Sequence, residues 1–120
     1  MLKKHTLSIK YAYEGMVWAF RTQANYRIHF FLSIVAVLAS YFFQISYTEF
    51  LIIVLIIFIG IMVEAINTAI EQTTDAIDKQ WREDIKLAKD VAAAAMLIFS
   101  LGALLIASLI FIPYIVKLIR

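Results

Sequence analysis

One stretch of the chain sets a strict limit on what it can fold into. Residues 50–63 contain no polar side chain, and the sequence then runs directly into Glu64. A helix that crosses hydrocarbon therefore continues into polar groups, which at such a depth indicate a functional site. The alternative is that the span simply ends near Glu64 and the polar face meets water. At about 100° per residue, five polar side chains of residues 64–78 fall within an arc of roughly 80°, which is one helix face. That face carries Glu64, Asn67, Glu71, Asp75 and Asp78.

The rest of the chain is also apolar enough for a membrane. Of the 120 residues, 63% are hydrophobic, whereas a soluble domain is nearer half apolar. We expect one all-α integral membrane domain over residues 1–120, with three transmembrane helices and an N-terminal amphipathic surface helix. Three thin helices enclose little space, so oligomerisation is also expected. The surface helix is predicted at 1–26 and the membrane helices at 28–46, 49–78 and 86–116.

The positive charges predict how the chain crosses the membrane. Five Lys and Arg residues lie in the N-terminal segment and four lie between residues 79 and 89, whereas the first loop has none and the C-terminus has two. Because cytoplasmic loops are enriched in Lys and Arg, the N-terminus and the loop 79–86 are expected in the cytoplasm. The acidic face then opens toward the cytoplasm. The third span is expected to end near Pro113, which would break or kink it.

The acidic face indicates a divalent cation. Carboxylate and amide oxygens suit Mg²⁺, which keeps several waters and shares substrate phosphates. His5 and His29 have no partner at metal-ligand spacing, which argues against zinc, and His29 is interpreted as an interfacial residue. The chain has no cysteine and only three glycines, so thiolate chemistry and Gly-rich phosphate loops are excluded. No basic patch exceeds what membrane topology requires, so nucleic-acid binding has no support.

A second polar pair, Lys89 and Asp90, lies at the start of the third span. The small residues 91–95 follow it, so helices can approach closely there. A lysine beside an acidic metal site could neutralise the phosphates of a nucleotide. It could equally be an ordinary cytoplasmic lysine paired with its neighbouring acid, and the spacing leaves both interpretations open.

These residues together resemble a known family. The run Glu64-Ala-Ile-Asn67-Thr-Ala-Ile-Glu71, then Asp75, then Ala88-Lys89-Asp90, is similar to the prokaryotic diacylglycerol kinase family, which includes undecaprenol kinases. The similarity extends from about Tyr11 to Pro113. The run N-Y-R-I-H at 25–29 resembles the N-F-R-I-H run typical of undecaprenol kinases. The resemblance implies a homotrimer in the bacterial cytoplasmic (inner) membrane. It would move the γ-phosphate of Mg-ATP to a lipid hydroxyl at sites shared between subunits.

The resemblance also implies roles for the matching residues. Glu64 matches the catalytic base, and Glu71 matches a glutamate that binds metal at the ATP site. Asn67 and Asp75 would support the site. The remaining ATP-binding candidates are Tyr11, Gln23, Gln80, Trp81, Arg82, Lys89 and Asp90.

Gln23 is where this chain departs from the family's pattern, which has a second metal-binding glutamate there. An amide oxygen can still ligate Mg²⁺ but brings no charge, so the affinity for Mg²⁺ is expected to fall. Gln23 is favoured as a tolerated variant of a subfamily. The alternatives are that Glu14 or Asp75 compensates, or that the protein is a weak or inactive member.

The expected acceptor is undecaprenol, because of the N-Y-R-I-H run and the small residues after Asp90. Diacylglycerol, phosphorylated to phosphatidic acid, is the alternative substrate. An alternative from another class is a non-catalytic membrane protein that uses the acidic face only to bind cations or to assemble with partners.

Overall fold

The architecture is a bundle of four helices. A computed structural model describes residues 2–120, with side chains described for residues 5–120. Three of the four described helices are long and apolar enough to cross a membrane, which confirms an all-α integral membrane protein. The helices are α1 (Leu2–Thr22), α2 (Ala24–Phe43), α3 (Tyr47–Ile77) and α4 (Glu83–Ile119).

A one-residue break at Gln23 separates α1 from α2, so the first helix ends earlier than the predicted residue 26. Gln23 is extended, with φ −103° and ψ 115°. The Arg27 guanidinium donates hydrogen bonds of 3.1 and 3.0 Å to the carbonyl oxygens of Phe20 and Arg21. These are last-turn carbonyls of α1, which lack helical partners and carry the negative end of the helix dipole. Arg27 therefore fixes the angle at which the chain enters α2.

The opposite end of the bundle is closed by a tight turn between α2 and α3. Gln44 ends α2 in the left-handed region, with φ 49°. Ser46 and Glu49 form a capping box, in which the Ser46 hydroxyl accepts from the Glu49 N–H and the Glu49 carboxylate accepts from the Ser46 N–H. Such a cap contributes about 1 kcal/mol. The Tyr114 hydroxyl donates to Glu49 Oε2 at 2.6 Å, which joins the far end of α4 to the start of α3.

The prediction that the third span ends near Pro113 is wrong. Helix α4 passes through Pro113 and continues to Ile119. A proline lacks the N–H that would bond the carbonyl of Leu109, so it removes one backbone bond. Ending the helix inside an apolar segment would expose several unpaired backbone groups to hydrocarbon, which is more costly.

Helix lengths place the acidic face at one edge of the bundle. The 20 residues of α2 are about 30 Å long, close to the thickness of the hydrocarbon layer. The 31 residues of α3 are about 46 Å long. Because both helices meet at the turn 44–46, the start of α2 is level with the part of α3 near Asn67. The last turns of α3 therefore project beyond the apolar layer.

A close approach of α4 to α3 occurs at Gly60, which is buried. A Cβ atom added there would lie 2.6 Å from Cζ of Phe99, well inside van der Waals contact. The Phe99 ring in turn lies near the imidazole of His29, with 6.1 Å between ring centroids. Gly60 thus allows one aromatic ring to lie between α3 and the start of α2.

Gly60→Ala is expected to lower the midpoint of thermal unfolding of the detergent-solubilised protein, because overpacking of this kind costs typically about 1–3 kcal/mol. Phe99→Leu in the same chain should recover much of the loss. Gly102→Ala is the matched control, since an added Cβ at Gly102 meets no atom within 4 Å. Equal losses in the two alanine variants would contradict the proposed contact.

Candidate active site

Helices α2, α3 and α4 enclose a polar cleft of about 300 Å³ at the level where α2 begins. One face of α3 supplies its acids and amide, because residues spaced by three and four positions lie side by side on a helix. Helix α2 supplies the opposite wall, and α4 closes the cleft with small and apolar residues. The lining residues are Asn25, Ile28, His29, Glu64, Asn67, Glu71, Ala93, Met96, Leu97 and Ser100.

Glu64 is the most deeply placed acid of this cleft, with only 3% of its surface exposed. Its Oε2 atom lies 3.9 Å from Nε2 of His29. A buried carboxylate is costly unless it is paired or neutralised, so a group that can carry positive charge or donate a hydrogen bond is the expected neighbour. The distance is longer than a hydrogen bond, which places the two groups side by side without joining them.

The sequence pattern did not place His29 beside Glu64, because His29 was weighed only as a zinc ligand and as an interfacial residue. A usable signal was present in the chain. His29 and Glu64 lie 16 and 19 residues from Ile45, in the middle of the turn between two antiparallel helices. Residues at similar distances from such a turn lie at similar depth.

Asn67 and Glu71 lie one and two turns beyond Glu64. The Asn67 amide donates to Glu71 Oε1 at 3.3 Å. Asn67 is only 7% exposed, and its Oδ1 atom has no hydrogen-bond partner among residues 5–120. An unpaired buried acceptor costs about 1–3 kcal/mol. The cleft therefore holds an oxygen that would gain from a cation or a hydrogen-bond donor.

The donor set fits Mg²⁺ in part. Glu71 offers a carboxylate and Asn67 an amide oxygen, and Mg²⁺ takes such ligands while keeping waters or substrate phosphates in its other positions. In the part of the chain whose side chains are described, no three His, Cys, Asp or Glu residues group as a complete metal cage. Two protein oxygens are too few for a structural Mg²⁺ site, but they suit an ion that a nucleotide also ligates.

Lys89 binds Asp75 rather than its sequence neighbour Asp90. The Lys89 ammonium lies 2.5 Å from Asp75 Oδ1, which joins α4 to α3, while Asp90 pairs with Lys86 at 2.5 Å. Both pairs are partly exposed, and exposed pairs contribute only about 0–1 kcal/mol. Lys89 could therefore exchange Asp75 for a phosphate at small cost.

The loop before α4 carries the exposed candidates. The Arg82 guanidinium donates to both carboxylate oxygens of Asp84, at 3.1 and 2.7 Å. These bonds hold the pKa of Arg82 above its ordinary value. The Gln80 N–H donates to Asp78 at 2.9 Å, and the Trp81 ring is exposed.

The predicted site residues fall into two groups. Glu64, Asn67 and Glu71 meet in the cleft. In the part of the chain that the structure describes, the other candidates do not line it. Tyr11 is exposed, and the Gln23 amide donates to the Thr22 hydroxyl at 3.2 Å. The residues outside the cleft are Tyr11, Gln23, Asp75, Gln80, Trp81, Arg82, Lys89 and Asp90.

The three long apolar helices and the buried Glu64 at their edge define a small integral membrane protein with a polar cleft level with one end of α2. Residues 10–111 match the family model described as prokaryotic diacylglycerol kinase. The chain belongs to this family of lipid kinases, which confirms the resemblance found in the sequence.

Individual relatives carry two different names. An undecaprenol kinase of Bacillus subtilis is 32% identical over 112 residues, which are 93% of this chain and 91% of that protein. A diacylglycerol kinase of Synechocystis sp. is 29% identical over 113 residues, and the match spans 93% of this chain but only 65% of that longer protein. A diacylglycerol kinase of Pseudomonas aeruginosa is 28% identical over 97 residues, 81% of this chain and 79% of that protein.

Proposed function

We propose that the protein transfers the γ-phosphate of ATP to a membrane-lipid alcohol, with undecaprenol as the preferred acceptor. The observation that carries this proposal is the position of Glu64 in the polar cleft, beside His29, which lines both that cleft and a second, apolar cavity. An apolar groove of about 390 Å³ runs between α2, α3 and α4, and it shares His29 and Ser100 with the polar cleft. A lipid tail in the groove would bring its terminal hydroxyl to Glu64.

The reaction needs a base and a stabilised phosphate. Glu64 accepts the proton of the lipid hydroxyl, whose oxygen forms a bond to the γ-phosphorus while the bond to ADP breaks. Lys89 leaves Asp75 and offsets charge on the phosphates. Burial of Glu64 in the bundle limits access of water, which would otherwise compete as acceptor.

Mg²⁺ would be held by Glu71 and Asn67, with the Gln23 side chain of a neighbouring subunit as a further ligand. When bound, it supplies positive charge for the phosphate oxygens of ATP. Asn67 also holds the Glu71 carboxylate in place through its amide N–H. Between turnovers, the ion pair with Asp75 holds Lys89 close to the position that the ATP phosphates would occupy.

We also propose a homotrimer in the bacterial inner membrane, with the N-terminus and the loop 79–86 in the cytoplasm and α1 on the membrane surface. The ATP candidates Tyr11, Gln23 and residues 80–82 lie outside the chain's own cleft, so a neighbouring subunit would supply them. Large exposed apolar side chains on α2, α3 and α4 leave ample surface for lipid and for such neighbours.

Undecaprenol is preferred over diacylglycerol for two reasons. The relative named undecaprenol kinase matches this chain over 91% of its own length, and the N-Y-R-I-H run at 25–29 resembles the run typical of undecaprenol kinases. Purified protein in vesicles should transfer ³²P from ATP to undecaprenol faster than to diacylglycerol. Faster transfer to diacylglycerol would make diacylglycerol the preferred acceptor. No transfer to either lipid, with Mg²⁺ still bound, would support the non-catalytic alternative.

Gln23→Glu is expected to lower the Mg²⁺ concentration that gives half-maximal activity, because it adds a charged ligand where the family has one. Gln72→Glu is the matched control, since it adds the same charge at an exposed position of α3. Magnesium titrations of lipid phosphorylation compare the two. If both variants behave like the parent, Gln23 is not a ligand.

A further inference from the structure

The space between His29 Nε2 and Glu64 Oε2 is wide enough for one hydroxyl oxygen to bridge the two atoms. The two side chains are 20% and 4% exposed, and 3.9 Å separates Nε2 from Oε2. A direct hydrogen bond would need about 3.2 Å or less. One oxygen atom can, however, lie about 2.8 Å from both atoms at once, within the range of hydrogen bonds to each.

The position of His29 in the bundle suits an apolar molecule with a polar end. His29 lines both the polar cleft and the apolar groove, so its ring stands where the two meet. The Phe99 ring lies against the imidazole on the side of α4, and Gly60 gives Phe99 the room to do so. The imidazole is therefore held in place by packing at the point where a lipid hydroxyl would arrive.

We propose that His29 binds the acceptor hydroxyl directly, together with Glu64. The inference rests on the proposed lipid kinase function and adds a second contact to it. The His29 Nε2–H donates a hydrogen bond to the hydroxyl oxygen, while the hydroxyl donates to Glu64. When phosphate transfer occurs, the O–H bond breaks and its proton moves to Glu64. The oxygen bonds to the γ-phosphorus, ADP leaves, and His29 keeps its own proton throughout.

A base and a fixed hydrogen-bond donor together orient the hydroxyl, which a base alone does not. A carboxylate alone can accept a proton from a hydroxyl in many orientations, whereas a second, fixed donor sets the direction of the attacking lone pair. Such positioning lowers the barrier for transfer without changing how ATP binds. The expected signature is a change in kcat for the lipid reaction at an unchanged KM for ATP.

Three substitutions at His29 separate the hydrogen bond from packing. Gln places an N–H close to where Nε2 of histidine lies, Asn places one nearer the backbone, and Leu removes it. We expect His29→Leu and His29→Asn to lose about tenfold in kcat for undecaprenol phosphorylation, the effect of one hydrogen bond. His29→Gln should stay within about threefold of the parent. Ser40→Ala, on the same helix and outside both cavities, is the control and should be fully active.

The assays measure ³²P transfer, KM for ATP and the midpoint of thermal unfolding for each variant. Rescue by Gln, with unchanged KM for ATP and unchanged unfolding midpoints, supports the proposal. Full activity of His29→Leu overturns it and leaves the proposed function intact. A shared loss in all three variants with lowered unfolding midpoints assigns His29 a structural role and also overturns it. If the parent protein phosphorylates no lipid, the proposed function itself fails.

Discussion

Glu64→Gln is expected to reduce lipid phosphorylation by about 10²–10⁴-fold, the usual contribution of a general base. The amide keeps the shape of the side chain but cannot accept the hydroxyl proton. Because glutamine is neutral, the substitution also removes a buried charge, so the protein should stay folded. Initial rates of ³²P transfer to undecaprenol in vesicles measure the effect.

Glu49→Gln is the matched control for this substitution. It lies on the same helix at the opposite end of the bundle, where glutamine also serves a capping box and can accept from Tyr114. Its activity should equal that of the parent. Retention of full activity by Glu64→Gln would remove Glu64 from the mechanism.

Glu71→Gln is expected to cause a loss of about 10²-fold or more at ordinary Mg²⁺ concentrations, because it removes the one carboxylate assigned to the ion. Unlike the loss in Glu64→Gln, this loss should shrink as Mg²⁺ is raised, since the amide oxygen remains a weak ligand. Magnesium titrations of both variants distinguish the two roles. A Glu71→Gln variant with the parent's Mg²⁺ dependence would contradict the assignment.

The membrane helices could be predicted because their signal is local. Residues 50–63 are apolar without interruption, and a spanning helix satisfies their backbone groups within the segment itself. The ends of the helices were harder to predict from the sequence. The break at Gln23 depends on Arg27 reaching back to α1, and the passage of α4 through Pro113 depends on the cost of unpaired backbone in an apolar layer. Neither feature can be predicted from a short segment of the sequence.

The candidate site likewise has a part that the sequence predicts and a part that it does not. Glu64, Asn67 and Glu71 share one face of one helix, so periodicity alone places them together. The contacts of His29 with Glu64 and of Lys89 with Asp75 join different helices, and they require the depth of each residue in the bundle. The ATP-binding candidates other than Glu71 could not be assembled from the sequence, because in the described chain they lie outside the cleft.

The most direct test of the account is the product formed when parent protein and Glu64→Gln are incubated with undecaprenol, Mg²⁺ and γ-³²P-ATP in identical vesicles. If Glu64 is the base of a lipid kinase, the parent should form labelled undecaprenyl phosphate and the variant at least about a hundredfold less. Equal labelling by the two proteins, or no labelled lipid with the parent, would contradict it.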